Sequence, residues 1–353
     1  FVMRRPALGL VVLFAGGAAY LFTARKLYFD YAVLLPSAAP ILTLGLAGIF
    51  CFGSRFGLEL LEKARLRRTL ERQVSKELAN HILSVPEGYF QTMPGVRRPV
   101  TVLFSDIRSF TSRSERDDPV ELLTQLKQYL DAMGKIVFRY GGVVDKFIGD
   151  AVMAVWGNLN TEGPEGDARS AVAAAVSMQL SLRELNKAWE AEGREPFEIG
   201  IGLNRGEALF GMVGSEEKQE MTVIGDPVNQ AARLEGLTKM FGQEIIVGPR
   251  VAKHLVGKFI LRSLGKVRTK GKEKAEELFA VLGELGDDPS EPSEDWLSRY
   301  HTALEAFQSG ELGEAKAGLE RCVAERPGDK TIALYLEAIG RGEESGVLVM
   351  TGK

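Results

Sequence analysis

The chain has 353 residues, of which 45% are hydrophobic and 26% are charged, and its formal net charge is −3. This length is typical of about two domains, and the near balance of charge argues against a protein that binds nucleic acid. The two cysteines and three histidines are scattered, without CxxC or metal-ligand spacing, so they indicate neither a disulfide framework nor a histidine metal site.

Two apolar stretches near the amino terminus predict that residues 1–55 form two transmembrane helices. Residues 8–23 and 31–54 carry no charged side chain, and each is close to the ~20 residues that cross a bilayer as a helix. Basic residues flank the pair, which by the positive-inside rule predicts that both ends lie in the cytoplasm, although Arg25 and Lys26 in the connecting loop weaken the contrast. A signal peptide and buried core helices are the alternatives.

Residues 56–95 predict a juxtamembrane signalling helix. From Phe56 to Leu83, seven large apolar residues recur at three- to five-residue steps with charges between them, a pattern typical of an amphipathic helix. Pro86 and Gly88 end it. The helix is either solvated or part of a parallel coiled coil, and we favour the coiled coil because such a stripe needs a partner.

Residues 96–285 alternate strands and helices and predict an α+β domain with a ferredoxin-like fold. The predicted strands are Pro99–Phe104, a hairpin of Val143–Ile148 and Ala151–Trp156, then Phe197–Leu203, Ala208–Val213 and Met221–Ile224. The predicted helices begin at Pro119 after an Asp118 cap, at Asp167, and near Pro227. Strand, helix, hairpin, helix and strand in this order are typical of an antiparallel sheet with helices on one face.

The carboxyl-terminal part predicts a linker followed by an α-helical tail. Residues 286–294 are acidic and rich in Pro and Ser, and residues 295–342 contain three amphipathic helices that resemble a tetratricopeptide repeat. Only about one and a half units are present, fewer than the roughly three that a free-standing array needs. We therefore expect the tail to pack on the preceding domain or to bind a protein partner.

Two aspartates follow strands that adjoin in a ferredoxin-like sheet. Asp106 follows the first predicted strand, and Asp150 lies in the hairpin turn. Each alone could cap a turn, but two neighbouring carboxylates repel one another unless a cation lies between them, and hard divalent ions such as Mg²⁺ or Mn²⁺ suit such a pair. The backbone N–H groups of residues 107–111, which include Phe110 and Thr111, face the same edge and suit phosphate, which predicts two-metal phosphoryl chemistry on a nucleotide.

Four motifs resemble, in their order and spacing, the class III adenylate/guanylate cyclase catalytic domain. They are FSDIRSFT, GGVVDKFIGDAVMAVWG, TVIGDPVNQAARLE and RTKGK, and the similarity covers about residues 99–282. The upstream segments likewise resemble bacterial membrane-anchored cyclase receptors, whose sensor would precede residue 1. The resemblance implies an adenylate cyclase that acts as a homodimer at the inner membrane, with a cytoplasmic catalytic domain, and converts ATP to 3′,5′-cyclic AMP and pyrophosphate.

The resemblance also implies roles for the matched residues. Asp106 and Asp150, helped by the carbonyl group of Ile107, would bind two metal ions per site. Lys146 and Thr222 would select the purine base. A lysine donor beside a threonine acceptor suits the N1 acceptor and the exocyclic amino donor of adenine, whereas guanine-selective relatives carry Glu and Cys-like residues at these positions.

Three further matched residues would act on the ribose and the phosphates. Asn229 and Arg233 stand at i and i+4 and so share one helix face, and the resemblance implies that they orient the ribose and neutralise the pentavalent α-phosphate. Lys270 would hold the terminal phosphates. A surface ion pair of Arg233 with Glu235 or Glu220 is the alternative.

Two positions depart from the family pattern. Ser109 stands where the family usually has Gly, and Arg205 stands where a small Thr is usual, so that Arg205 could either reach the phosphates or obstruct them. Arg205 is the main support for a competing hypothesis, a catalytically silent regulatory receptor. A guanylate cyclase is the other competing hypothesis, and Lys146 and Thr222 disfavour it.

Overall fold

The computed structural model describes residues 6–33, 95–215, 219–269, 274–285, 293–342 and 346–350, together with scattered positions between 42 and 61. Residues 1–74 and 75–353 form two separate units. The predicted signalling helix, most of the second apolar stretch, most of the linker and Lys270 lie outside the described residues. The predicted domain boundaries therefore stay predictions.

The described residues of the amino-terminal unit include a long helix, α1, Pro6–Tyr31. It includes the first apolar stretch and continues through Arg25 and Lys26, so the prediction that these two residues lie in a loop was wrong. Arg and Lys both favour helices, and neither Pro nor Gly follows Gly17 within the helix to end it earlier. Among the residues described, no helix combines the length and hydropathy of a membrane span. The membrane hairpin stays a prediction.

The first described elements of the second unit form the predicted ferredoxin-like arrangement. Its elements are β1 (Val96–Ile107), α2 (Phe110–Arg116), α3 (Pro119–Arg139), β2 (Val143–Ile148), β3 (Ala151–Trp156), α4 (Gly163–Ala191) and β4 (Ile199–Gly214). The strands lie in the order β2-β3-β1-β4, and both neighbours of β1 run antiparallel to it. The α+β prediction is confirmed, and the hairpin lies next to the first strand as expected.

Local signals explain the element boundaries that were predicted correctly. Asp118 caps α3 by accepting hydrogen bonds from the backbone N–H groups of Val120 and Glu121 at 2.9 and 3.0 Å. The β2–β3 turn passes through Gly149, whose φ of 66° lies in the left-handed region that favours glycine. Tyr129 and Met133 of α3 are fully buried in the core between the helices and the sheet.

The strand that follows α4 differs from the prediction. Phe197–Leu203 and Ala208–Val213 were predicted as two strands, but residues Ile199–Gly214 form the single strand β4, which pairs with β1 from Ile199 to Phe210. Polar residues interrupt the apolar pattern here and resemble a turn. Two of them, Asn204 and Arg205, are buried, and the Arg205 guanidinium has partners distant in sequence. Because Arg205 is buried and paired with these partners, this polar segment lies within the strand and does not form a turn.

The sheet continues beyond β4 through a helix that is central to the site. The elements are β5 (Gln219–Ile224), α5 (Asp226–Phe241), β6 (Ile245–Val247), α6 (Pro249–Ala252), β7 (Phe259–Arg268) and β8 (Glu276–Glu284). Helix α5 crosses β4 at close range. A Cβ atom on Gly202 would lie 2.1 Å from the backbone N of Glu235 and 2.3 Å from the carbonyl oxygen of Ala231. Glycine at this position therefore permits the contact between strand and helix.

The tail contains the three predicted helices, α7 (Glu294–Gln308), α8 (Leu312–Glu325) and α9 (Lys330–Gly340), and a short strand, β9 (Leu348–Val349), that pairs with β7. Its aromatic side chains share one buried cluster with residues of α5, β7 and β8. The cluster includes Phe241, Leu264, Leu278, Trp296, Tyr300, Phe307 and Tyr335. The tail therefore packs on the cyclase-like domain, as one of the two expectations stated. Its relation to tetratricopeptide repeats stays a prediction.

Candidate active site

The two predicted metal-binding aspartates meet at one edge of the sheet. Asp106 lies near the end of β1, and Asp150 lies in the β2–β3 turn, where its Oδ2 accepts a hydrogen bond from the backbone N–H of Ile107 at 3.2 Å. Burial, followed by the hydrogen bond and the negative charge of Asp150, raises the pKa of Asp106 to about 6. The sheet therefore holds two carboxyl groups close enough to disfavour full ionisation.

This donor set fits a hard divalent ion. Ionised carboxylates and a backbone carbonyl oxygen offer only oxygen ligands, and Mg²⁺ is usually held by one or two carboxylates plus substrate phosphates. No group of three or more His, Cys, Asp or Glu side chains suited to a metal occurs in the part of the chain that the structure describes. A bound ion would complete its coordination with water or nucleotide oxygens.

A third acidic residue near this edge was not predicted. Glu235 lies on α5, and burial, followed by the charge of Asp106 and more weakly that of Asp150, raises its pKa to about 8, while Arg108 opposes the shift. In the sequence its only signal is its place at the end of TVIGDPVNQAARLE. The sequence indicates it only as a possible ion-pair partner of Arg233, whereas in the structure it lies close enough to Asp106 and Asp150 for their charges to act on it.

Lys146 and Thr222, the predicted base-selecting residues, lie together. The Thr222 hydroxyl donates to Asp145 Oδ2 at 2.6 Å, and the Lys146 Nζ atom lies 3.7 Å from the same oxygen and 3.1 Å from Glu220 Oε2. Asp145 connects β2 to β5 and was not identified in the sequence. Lys146 is therefore held by two carboxylates instead of being a free, solvated side chain.

Asn229 and Arg233 lie on the accessible side of α5, whose neighbouring positions Ala231 and Leu234 are buried. Asn229 is exposed and Arg233 is half-buried. Within the described part of the chain, no hydrogen bond or ion pair engages either side chain. The alternative surface pairing of Arg233 with Glu235 or Glu220 is therefore not observed among these residues.

The predicted phosphate loop leads into α2. The Phe110 ring packs edge-on against Phe197, with centroids 6.3 Å apart, so its side chain belongs to the core, while Thr111 is exposed. Ser109 precedes the helix with φ 58° and ψ 25°, in the left-handed region. This backbone conformation is one that glycine adopts freely, which gives a physical reason for the glycine usual at this position.

Replacing Ser109 with glycine is expected to raise the free energy of unfolding by up to about 1 kcal/mol. The left-handed backbone conformation destabilises a residue with a Cβ atom by roughly 1–2 kcal/mol, and glycine removes this strain. The larger conformational entropy of glycine in the unfolded chain offsets part of the resulting stabilisation. Urea denaturation would measure the change. Ser114→Gly, inside the same helix, is the matched control and should lose about 0.5–1 kcal/mol. If both variants lowered the free energy of unfolding equally, the backbone at Ser109 would not be strained.

Arg205 lies away from the carboxylate edge. Its Nη1 atom donates to Thr101 Oγ1 at 2.8 Å and lies 3.5 Å from Asp167 Oδ2, and burial lowers its pKa. Arg205 is paired with Thr101 across the two strands, whereas Asp106 is paired with Gly200, five residues along β4. Five residues of strand span about 16 Å. Arg205 is thus a buried structural side chain and neither reaches nor obstructs a ligand at that edge.

Part of this chain resembles a family of catalytic domains and several curated proteins. The family described as "Adenylate and Guanylate cyclase catalytic domain" matches residues 95–282. An adenylate cyclase of Anabaena cylindrica is 37% identical over 228 residues, 62% of this chain and 44% of that protein. Adenylate cyclase 1 of Rhizobium meliloti is 32% identical over 218 residues, 61% and 32% of the two chains. This chain therefore spans less than half the length of these relatives.

Solved structures of both purine classes resemble this chain. The adenylyl cyclase CyaB from P. aeruginosa superposes with a TM-score of 0.51 at 32% identity, over 57% of this chain and 100% of that one. The guanylyl cyclase Cya2 superposes with a TM-score of 0.50 at 35% identity, over 57% and 99%. Because the family match covers just over half of the chain, this protein belongs to the family of the adenylate and guanylate cyclase catalytic domain.

Proposed function

We propose that this chain is an adenylate cyclase that converts ATP to 3′,5′-cyclic AMP and pyrophosphate. The observation that carries the proposal is the convergence of Lys146 and Thr222 on Asp145. An ammonium donor beside a hydroxyl oxygen matches the N1 acceptor and the exocyclic amino donor of adenine. Since solved structures of an adenylyl cyclase and a guanylyl cyclase resemble the chain about equally, the proposed choice of ATP over GTP depends on these residues.

Asp106, Asp150 and the carbonyl oxygen of Ile107 would hold Mg²⁺ or Mn²⁺, two ions per site. Such ions activate an attacking oxygen and neutralise phosphate charge. The chain itself keeps the two carboxyl groups together, and the raised pKa of Asp106 reflects burial and repulsion that a cation would relieve. The backbone N–H groups of Phe110 and Thr111 would bind phosphate oxygens.

Asn229, Arg233 and Lys270 would act on the rest of the nucleotide. Asn229 would orient the ribose so that its 3′-oxygen attacks the α-phosphorus in line with the departing pyrophosphate. The Arg233 guanidinium would stabilise the charge that develops on the α-phosphate. Lys270 would hold the terminal phosphates. Support for the first two comes from their accessible side chains, which no described residue engages.

The active form would be a head-to-tail homodimer with two composite sites, each combining the carboxylates of one chain with Arg233 of the other. The geometry of α5 supports this arrangement. Glu235 lies close enough to Asp106 for that charge to raise its pKa. Arg233 precedes Glu235 by two residues, which is about 200° around a helix. Its side chain therefore projects away from the carboxylate pair of its own chain.

The cellular setting is also a proposal. The uncharged stretches 8–23 and 31–54, with basic residues on either side, support anchoring of this chain in an inner membrane and a cytoplasmic cyclase domain. A protein partner of the tail is proposed from its repeat-like sequence alone. The broader role would be signal transduction through a cyclic nucleotide.

Exchanging the base-selecting pair tests the proposed function. The double variant Lys146→Glu, Thr222→Cys is expected to lower kcat/KM for ATP and to raise relative use of GTP, because donor and acceptor are exchanged. Losing a buried hydrogen-bonding partner costs about 1–3 kcal/mol, or roughly 5- to 150-fold in selectivity. Cyclic AMP and cyclic GMP formation would be measured with each purine triphosphate and each metal.

Lys135→Glu is the control for this exchange. It reverses the charge of an exposed lysine on α3 whose ion-pair partner is Asp131, at 2.6 Å, and not Asp145. Its purine preference should match that of the wild-type protein. Full ATP preference in the double variant would show that Lys146 and Thr222 do not select the base, and wild-type preference for GTP would favour a guanylate cyclase.

A further inference from the structure

Asp145 occupies an irregular position in β2. The pairing of β2 with β3 runs regularly to Val144, opposite Ala154, and resumes at Lys146, opposite Met153. Asp145 is therefore an extra residue in a β-bulge, a feature that redirects side chains. In a regular strand, successive side chains point to opposite faces. Here the Lys146 Nζ atom instead lies 3.7 Å from Asp145 Oδ2, so both side chains reach the same site.

The Asp145 carboxylate is buried and surrounded by donors. Its side chain is 3% exposed. Burial raises the pKa of Asp145, while the Thr222 hydroxyl, the Lys146 charge and the backbone N–H of Val223 oppose that shift. Three donors directed at one carboxyl group favour its ionised form, which can only accept hydrogen bonds.

This environment fixes the direction of the Thr222 hydroxyl. A hydroxyl group has a single proton, and that of Thr222 forms the hydrogen bond of 2.6 Å to Asp145. The Thr222 oxygen can therefore offer only lone pairs to a purine. The adenine amino group can donate to them, whereas guanine has an acceptor oxygen at the corresponding position. The Lys146 ammonium does not discriminate in this way, because it can donate to adenine N1 or to the guanine oxygen.

We propose that Asp145 is a positioning residue that sets the purine selectivity of this site by holding the Thr222 hydroxyl as an obligate acceptor. The inference rests on the proposed function in one respect, namely that Lys146 and Thr222 contact the base. It extends that function because it adds Asp145 to the residues on which the choice between adenine and guanine depends. A threonine without the buried carboxylate would present either a donor or an acceptor.

The test is the isosteric change Asp145→Asn. The new amide can donate to the Thr222 oxygen, which releases the hydroxyl proton toward the base. We expect the ratio of affinities for ATP over GTP to fall about tenfold, the equivalent of one hydrogen bond. Equilibrium binding of non-hydrolysable ATP and GTP analogues gives this ratio without turnover, and kcat/KM for the two nucleotides gives it during turnover.

A double-mutant cycle separates action through Thr222 from a general structural effect. In a Thr222→Val background there is no hydroxyl to orient, so adding Asp145→Asn should leave the ratio within about twofold. Asp131→Asn, on the exposed side of α3, is the matched control and should keep the wild-type ratio. If Asp145→Asn does not fold, Asp145→Ala carries the same expectation, because it also frees the Thr222 hydroxyl.

Each outcome decides the inference. The inference is wrong if folded Asp145→Asn keeps the wild-type ratio of affinities for ATP over GTP. It is also wrong if Asp145→Asn changes that ratio equally in the wild-type and the Thr222→Val backgrounds. A wild-type protein without purine preference in binding overturns it as well. The proposed cyclase activity can fail separately. Wild-type protein that makes no cyclic nucleotide would contradict cyclase activity. If that protein still binds the ATP analogue in preference to the GTP analogue, the effect of Asp145 on selectivity can still be measured.

Discussion

An Asp106→Ala chain mixed with an Arg233→Ala chain is expected to regain about a quarter of wild-type cyclic AMP formation, although each variant alone is inactive. Asp106 is one of the two carboxyl groups proposed to bind metal, and Arg233 is proposed to stabilise the transition state, a role whose loss typically lowers kcat by on the order of 10²–10³. In a composite dimer, the mixed pair has one site with both changes and one intact site. Random pairing makes half of the dimers mixed, and each works at one of its two sites.

The experiment needs proof that mixed dimers form. Differently tagged chains, co-purified through both tags, would show heterodimers, and each variant mixed with itself would give the background. Lys239→Ala is a suitable control partner for Asp106→Ala, because Lys239 is an exposed residue in the last turn of the same helix. That mixture should show about half of wild-type activity, because Lys239→Ala homodimers work at both sites and mixed dimers work at one of two. Persistent inactivity of confirmed Asp106/Arg233 heterodimers would mean that each chain holds its own complete site.

Replacing Arg262 with alanine is expected to lower the free energy of unfolding by about 3–5 kcal/mol, the cost of leaving one partner of a buried ion pair uncompensated. Arg262 donates to Asp329 Oδ2 at 2.6 Å and to Oδ1 at 3.0 Å, and both side chains are nearly inaccessible. Its guanidinium also lies 4.2 Å from the centre of the Tyr300 ring. The pair joins β7 to the start of α9, so its loss weakens the attachment of the tail.

Arg299→Ala is the matched control for this prediction. Arg299 reaches Glu325 at 2.8 Å, but both side chains are about half exposed, so its removal should change stability by no more than about 1 kcal/mol. Urea denaturation of the two variants measures the contrast. Similar small changes for both would mean that the buried pair contributes little and that the apolar cluster alone attaches the tail.

The sequence by itself determined the local elements and the family, and it predicted the residues of the site. The β2–β3 hairpin has the predicted bounds because apolar runs flank a Gly-Asp turn, and α3 begins where Asp118 caps it. Asp106, Asp150 and the family itself were identified from short motifs, since each motif lies in one continuous segment. Periodicity likewise predicted the three tail helices, because an amphipathic repeat is visible within one segment.

The tertiary structure alone decided which distant residues meet. The continuity of β4 depends on Arg205, whose partners Thr101 and Asp167 lie far from it in sequence. Glu235 joins the acidic edge because α5 crosses β4 closely, and Asp145 reaches Thr222 across 77 positions because of a bulge. Contacts of this kind arise from packing and strand register. Neither is encoded in a window of neighbouring residues, so no local pattern could reveal them.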